Sequence, residues 1–450
     1  LKLFSKKLTK DVKYNKLFNI LFSCLYNPTG VSQRIMNVDQ LKIPELSLRY
    51  LKAAKCVAEL RSVTRAGEQL NRSQTAISKA IIELESQLGV PLFDRTTSGV
   101  SPTVYGEALG QRVAMAMAEF EAAGRAYDQF KKSRRDFHKN PLFSMEISYK
   151  RLAALIALYE TCDYNGAAHM LGITSAAVYN SIRELENLLD LALFGKDPSG
   201  VNPTPYCKIL VRHTKLAFSQ IRHAVDDIAS LNGVTCGKVT VGTMPYSRTI
   251  LTPRAINQLL EDQPQLDIST IEGPYNSLLS GLRSGEIDML IGAIRPKEAA
   301  PHLKTERLFD DKLAILARSD HPLAKKKILA PKILEELQSV LPPTGTPTRL
   351  LYDQFCTQHG ISAPAHCIET SSASMVRGLL LESDRVALLS EHQIYYDKKL
   401  GALTSLAIDM QSTYRPIGIT MLSHIRPSPA AGLFLDKIRS VAEDLSLGIS

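Results

Sequence analysis

Apolar residues recur at helical spacing from Leu51 onward. Leu51, Ala54, Val57, Ala58 and Leu60 mark one helix, and Ala76, Ile77, Ala80, Ile81, Leu84 and Leu88 mark another. Between them the pattern predicts a short helix through Leu70 with Thr64 as N-cap, closed by a turn at Asn71 and Arg72. Ser73 stands where the second striped helix needs a cap, and Gly89 supplies the left-handed residue that ends it. Polar residues around "RTTSG" then read as two short strands joined by a tight turn. Helix, helix, turn, helix, hairpin is the order of a winged helix-turn-helix. Its third helix keeps Gln74, Thr75, Ser78 and Lys79 off the apolar stripe, near the N-terminal end.

The pattern returns. Sliding the chain by 101 residues lays Leu51 on Leu152, Ala66 on Ala167, Leu70 on Leu171, and Leu92 and Phe93 on Leu193 and Phe194. Glu83, Leu84 and Glu85 fall on Glu184, Leu185 and Glu186, and Pro102 and Thr103 on Pro203 and Thr204. Roughly a third of positions from about 50 to 106 agree without a gap, so the unit is duplicated. In copy two the outer face of the third helix carries Thr174, Ser175, Ala176, Tyr179 and Asn180. A long helix follows each copy. Leu109, Val113, Met117, Phe120 and Tyr127 stripe the first, with a gap at Gly124, and Ala217, Ile221, Ala224, Ile228 and Leu231 stripe the second. Such stripes suit helix pairing and lead us to expect a homodimer or homotetramer.

The polar face of copy one suits a DNA major groove: Gln bonds an adenine edge through two hydrogen bonds, and Ser and Lys reach bases or phosphates. The helix N-terminus favours a nearby phosphate, and Arg95 on the wing suits a minor groove. A solvated face on a protein-binding winged unit is the competing reading. The stretch "SVTRAGEQLNRSQTAISKAIIELESQLGVPLFDRTTSGVSPTVYGEAL" resembles the N-terminal domain of LysR-type transcriptional regulators, departing from it at Gly67, often Ala, and Thr75, often Pro. The resemblance implies that Ser73, Gln74, Thr75, Ser78 and Lys79 contact DNA from the helix and Arg95 from the wing.

After residue 236 the pattern changes to strands alternating with helices. Val239–Gly242 reads as a strand entering a polar turn, Asp267–Ile271 as a second strand, Ser277–Ser284 as a helix and Ile287–Ala293 as a buried strand. This predicts a mostly parallel α/β domain whose ligands bind beyond the strand C-ends. A second lobe is expected from about 315 to 410, with the chain returning at "PIGITM" to complete the first. The fold class expected is thus a two-lobed α/β effector domain, built like a periplasmic binding protein, behind two winged helix-turn-helix domains rich in α-helix. Candidate cleft residues are Thr243 and Ser247 after the first strand, Arg295 after the buried strand, Thr346 in "TGTP", and Thr370 and Ser371 at the start of the helix in "ETSSASMVRG". Hydroxyls beside an arginine and a helix N-terminus suit a carboxylate or polyol, although such residues also serve as caps. "GKVTVGTMP", "LLSGLRSGEIDMLIGAI" and "RPIGITM" resemble the effector domain of the same family, in order. That resemblance implies promoter DNA, a small organic effector (a sugar or carboxylate) as co-inducer, contact with RNA polymerase, and no other cofactor. The family has one winged domain where this chain has two.

Charge separates the copies. Residues 46–106 hold eight basic against five acidic side chains, a net of +3, whereas residues 147–207 hold four against six, a net of −2. Phosphate attraction favours copy one as the DNA reader, leaving copy two as a weaker DNA contact, a spacer or a pairing module. The boundaries expected are a tail over 1–40, winged units at 41–106 and 141–204, pairing helices at 107–140 and 205–235, and the effector domain at 236–450. Residues 1–35 read as upstream sequence or a weakly structured tail, with an apolar run too short to span a bilayer. The basic run Lys131–Lys139 reads as a helix end plus linker. Seven scattered cysteines without metal spacing fit a reducing cytoplasm, and no nucleophile, metal or phosphate-loop motif points to an enzyme.

Overall fold

Extended backbone at Ser62, φ −153°, lets its hydroxyl accept from the Arg65 amide at 3.3 Å, so Ser62 rather than Thr64 caps the second helix. The structure, a computed structural model, describes residues 46–96, 99–131, 140–197, 200–295, 302–362 and 366–446. The expectations for residues 1–40 and for most of the basic run after Lys131 lie outside the described residues. The chain divides near Val234 into two units.

In the first unit, α1 (Leu48–Leu60), α2 (Val63–Gln69) and α3 (Gln74–Leu88) lead into the hairpin β1 (Phe93–Thr96) and β2 (Gly99–Pro102), followed by α4 (Val104–Lys131). Ser73 caps α3, its Oγ accepting from the Ala76 amide at 3.2 Å, and Gly89 closes it at φ 72°. Ile77, Ala80, Ile81, Leu84 and Leu88 are buried, but Ala76 is exposed. It precedes Ile77 by one residue, about 100° of helix rotation, which carries it off the buried stripe.

The second copy repeats the order: α5 (Tyr149–Thr161), α6 (Tyr164–Leu171), α7 (Ser175–Leu189), β3 (Phe194–Asp197), β4 (Gly200–Pro203) and α8 (Pro205–Leu231). Both copies are wired alike. The Glu85 carboxylate accepts from the Leu92 and Phe93 amides at 2.8 and 3.2 Å, and Glu186 accepts from Leu193 and Phe194 at 2.8 and 3.3 Å. The Leu92 carbonyl accepts from the Thr103 amide at 3.0 Å, and Leu193 from Thr204 at 2.9 Å. Among the residues repeated in the sequence are thus those that fasten hairpin to helix.

One apolar core runs through both copies and both long helices. α4 and α8 lie antiparallel. Tyr105, at the start of α4, donates to Asn232 Oδ1 beyond the end of α8 at 2.7 Å, and Tyr206, at the start of α8, donates to the Ala123 carbonyl at 3.2 Å. Leu109, Val113, Phe120, Ala217, Ile221, Ala224 and Ile228 are all buried, whereas Leu231 is exposed. The stripes that suggested pairing between chains are therefore covered inside one chain.

In the second unit, β5 (Lys238–Thr243), α9 (Leu251–Asp262), β6 (Asp267–Glu272), α10 (Tyr275–Arg283) and β7 (Met289–Ala293) precede the long β8 (Leu303–Arg318). Then come β9 (Ser339–Leu341), α11 (Pro347–Gln358), β10 (Cys367–Glu369), α12 (Ala373–Leu381), β11 (Val386–Ser390), α13 (Tyr395–Lys399), β12 (Leu403–Ser405), β13 (Tyr414–Leu422) and α14 (Pro429–Ser446). In lobe one, β5 runs parallel to β6 and β7, and β13 runs antiparallel to β7 and to the first part of β8. In lobe two, the second part of β8 pairs antiparallel with β11 and β12, while β9 runs parallel to β10 and β11. β8 thus passes from one lobe to the other, and each lobe has its own core, around Val241 and Phe434 or around Ile315 and Phe355.

Candidate nucleic-acid interface and effector-binding elements

The polar edge of α3 is supported from behind and open in front. Gln74, Thr75 and Lys79 are exposed with Ser73, and Ser78 is half-buried. Arg95 lies in β1 with its backbone opposite Val100; its side chain lies outside the described residues. Apart from Arg95 and from Lys55, which pairs with Glu59 along α1, the basic residues of copy one divide into two sets. Glu146, in the connection to copy two, gathers Arg49 (3.7 Å), Lys52 (3.1 Å) and Arg72 (2.9 Å). Lys79 is exposed on α3, and Arg61 and Arg65 are exposed at the end of α1 and in α2. The sequence signal for Arg61 and Arg65 was only their charge, and it did not separate them from the three that face Glu146.

On α7 the equivalent surface is built around an aromatic ring. Thr174 caps the helix, its hydroxyl accepting from the Ala177 amide at 3.2 Å, and Ser175 donates to Asn165 Oδ1 at 2.7 Å. Tyr179, 39% exposed, rests against Tyr164 with ring centroids 5.8 Å apart and accepts a hydrogen bond from Arg183 at 3.0 Å. Asn180 is exposed beside it. This face offers one held aromatic ring and little positive charge.

The nominated effector residues fall into two sets. Thr243 ends β5 and is in register with Ile291 of β7, the strand that leads to Arg295, so these two and Ser247 lie toward the C-terminal edge of the lobe-one strands. Thr346 follows β9, and Thr370 and Ser371 follow β10, the parallel neighbour of β9 in lobe two. Most are already engaged. Thr243 donates to the Ile271 carbonyl at 3.4 Å, Ser247 to Met244 at 3.1 Å and Thr346 to Pro343 at 2.7 Å. Thr346 also caps α11, and the Thr370 hydroxyl accepts from the Ser372 amide at 3.1 Å. The Arg295 guanidinium lies 3.9 Å from the centre of the Tyr275 ring. Ser372, not Thr370 or Ser371, caps α12, since the extended turn ends one residue later than the sequence suggested.

A polar cluster that sequence reasoning missed joins elements of both lobes. Asp311, buried on β8, accepts from Arg415 Nε of β13 at 3.1 Å and from Ser390 Oγ at 2.6 Å, with His392 Nδ1 at 3.3 Å. Arg415 also donates to Thr348 Oγ1 at 2.5 Å and lies 5.6 Å from the centre of the Tyr246 ring. The buried hydroxyls of Tyr246 and Thr252 have no hydrogen-bond partner among the described residues. Burial, then the Asp311 charge, pushes the Tyr246 hydroxyl up and keeps it protonated. Asp311 and Arg415 are 104 residues apart, and no local spacing announces them. Elsewhere burial pushes the thiols of Cys56, Cys207 and Cys356 up, away from reactive thiolate. No group of three His, Cys, Asp or Glu side chains could hold a metal among the described residues.

A winged helix-turn-helix with an open polar recognition edge, in a chain with a two-lobed α/β domain, defines an effector-responsive DNA-binding protein. The model of the bacterial regulatory helix-turn-helix protein, lysR family, matches twice, at residues 48–107 and 149–208, and that of the LysR substrate binding domain matches 232–443. The HTH-type transcriptional regulator GalR of Pseudomonas putida is 32% identical over 399 residues, covering 88% of this chain and 97% of that one. The regulator PcaQ of Agrobacterium fabrum is 25% identical over 304 residues, covering 68% and 98%. A full-length OxyR variant from Pseudomonas aeruginosa has the fold at TM-score 0.51 and 24% identity, covering 65% of this chain and 95% of that one. The chain belongs to the LysR-type transcriptional regulators, with a helix-turn-helix DNA-binding region and an effector-binding domain. The GalR match exceeds the PcaQ match by 95 residues (399 against 304), close to the length of one repeat. No helix among the described residues is long and apolar enough to cross a membrane.

Proposed function

We propose that copy one reads promoter DNA by placing the first turns of α3 in a major groove. Ser73, Gln74, Thr75, Ser78 and Lys79 face bases and phosphates there, Arg95 reaches from the wing, and Arg61 and Arg65 add phosphate contacts. The observation that carries this reading is the open edge of α3: exposed Gln74, Thr75 and Lys79 on a helix whose other face is fixed by Ile77, Ile81 and Leu84. The effector is a small sugar or carboxylate held by the second unit. Arg295 reaches it from lobe one beside the buried Thr243 and Ser247, and Thr346, Thr370 and Ser371 reach it from lobe two. The buried hydroxyls of Tyr246 and Thr252, without a hydrogen-bond partner among the described residues, supply further donors. Its binding changes promoter affinity or contact with RNA polymerase, in the cytoplasm, without catalysis.

Gel-shift titration across salt concentrations tests the DNA reading. Loss of a Gln–adenine pair costs about 1–3 kcal/mol, so Gln74→Ala should weaken promoter binding roughly five- to 150-fold and relax selectivity at one base pair. Lys79→Ala should weaken all sequences alike and reduce the log–log salt slope by about 0.9. Unchanged affinity and selectivity in the double variant would refute the assignment.

A further inference from the structure

The two long helices are related by more than proximity. Under the 101-residue repeat, Arg112 is equivalent to His213 and Glu119 to Gln220. Arg112 Nη1 donates to Gln220 Oε1 at 3.1 Å, and His213 Nδ1 lies 2.7 Å from Glu119 Oε2. Moving each partner of the first contact by one repeat gives the second, so the two contacts are one contact seen from either side of a two-fold axis. Midway between them on their helices lie Ala116 and Ala217, repeat equivalents and both 0% exposed. Small residues at that point let the backbones cross closely. The winged units are therefore paired by a pseudo-two-fold axis within one chain, and α3 and α7 occupy equivalent positions about it.

The chemistry of the pair is asymmetric. Asp227 takes Arg112 in a two-pronged bond, Nε to Oδ2 at 2.8 Å and Nη2 to Oδ1 at 3.2 Å, with Arg112 1% and Asp227 6% exposed. The repeat equivalent of Asp227 is Ala126, and that of Arg112 is His213. Two α4 helices from separate chains would lack the aspartate and two α8 helices would lack the arginine, so only the mixed pair forms this bond. The covalent connection favours the same pairing by effective concentration.

A two-fold pair of winged units presents its recognition helices to successive half-sites on one DNA duplex, about 10 base pairs apart. We infer that one chain of this protein spans both half-sites of its operator, α3 reading one half and α7 lying on the other. The operator is correspondingly asymmetric: the half under α3 carries the sequence and salt dependence. The half under α7 meets Tyr179, Asn180 and a unit of net −2, and is read weakly. This rests on the reading of copy one as a DNA reader.

Tethered cleavage of DNA by the full-length protein tests it. Glu68 in α2 and His169 in α6 are exposed repeat equivalents outside the proposed contacts. Glu68→Cys and His169→Cys are each made in full-length protein in which Cys24, Cys162, Cys236 and Cys367 are replaced by serine, so that the reagent meets one accessible thiol. Each is conjugated with an iron–EDTA reagent, and the same protein with neither introduced cysteine gives the background. Cleavage from position 68 in one half of the footprint and from position 169 in the other is the expected result. Cleavage from position 68 in both halves, or none above background from position 169, overturns the single-chain arrangement while leaving copy one as the reader. No cleavage from position 68, with binding retained, overturns the copy-one reading and the inference with it.

Discussion

Gly67 lies in α2 under the turn that follows it, and a Cβ there would meet the Arg72 carbonyl oxygen at 2.7 Å. Gly67→Ala forces the turn that leads into Ser73 to shift. Overpacking of this kind costs about 1–3 kcal/mol, and chemical denaturation should show a loss in that range. His223, inside the helix pair, is the second informative residue. Burial first, then the Arg112 charge, pushes its pKa down to about 3. An unfolded histidine titrates near 6.5, so between those values the unfolded chain binds the extra proton. The stability His223 contributes is full above about pH 6.5 and lost progressively as pH falls toward 3. The unfolding free energy of the unaltered protein minus that of His223→Gln should shrink as pH drops from about 7 to about 4; a difference independent of pH would contradict the assignment. Residues like Ser73 and Gly89 were legible in the sequence because a cap acts within four residues of itself. The partnership of Arg112 with Asp227 spans 115 residues and has no local signature.

At the scale of elements, α4 with 28 residues and α8 with 27 carry the architecture of the first unit. Their amphipathic stripes were readable, but a stripe states only that a face is covered, not by what. The antiparallel mate inside the chain emerged from long-range contacts at both ends, Tyr105 with Asn232 and Tyr206 with Ala123. Removing one partner of a buried ion pair leaves the other charge stranded, so Asp227→Ala should cost about 3–5 kcal/mol in equilibrium unfolding. Replacing both, Arg112→Met with Asp227→Ala, should recover much of that loss, and a double variant no better than the single one would show that the pair does not act as a unit. Of the effector domain, β5, β6, β7 and α10 were legible from alternation and length, whereas the antiparallel pairing of β8 with β11, β12 and β13 departs from the mostly parallel sheet expected, because pairing between distant strands has no local period. The polar residues of this domain were less legible. A hydroxyl at a strand end satisfies its own turn as readily as a ligand, as Thr346 does in capping α11.

For the whole molecule, pairing within the chain changes what protein concentration can do. An interface between subunits comes apart on dilution, whereas one closed inside a chain does not. Amide exchange in α4 and α8 should keep the same protection over about a hundredfold dilution, and protection that falls with concentration would place the pairing between chains. The α4–α8 pairing also bears on how such a regulator can change. Where two identical chains grip a promoter, every substitution strikes both hands at once. Here left and right hands are separate stretches of one gene, free to drift apart. A promoter that loses its palindrome can still be followed, by altering one hand and sparing the other.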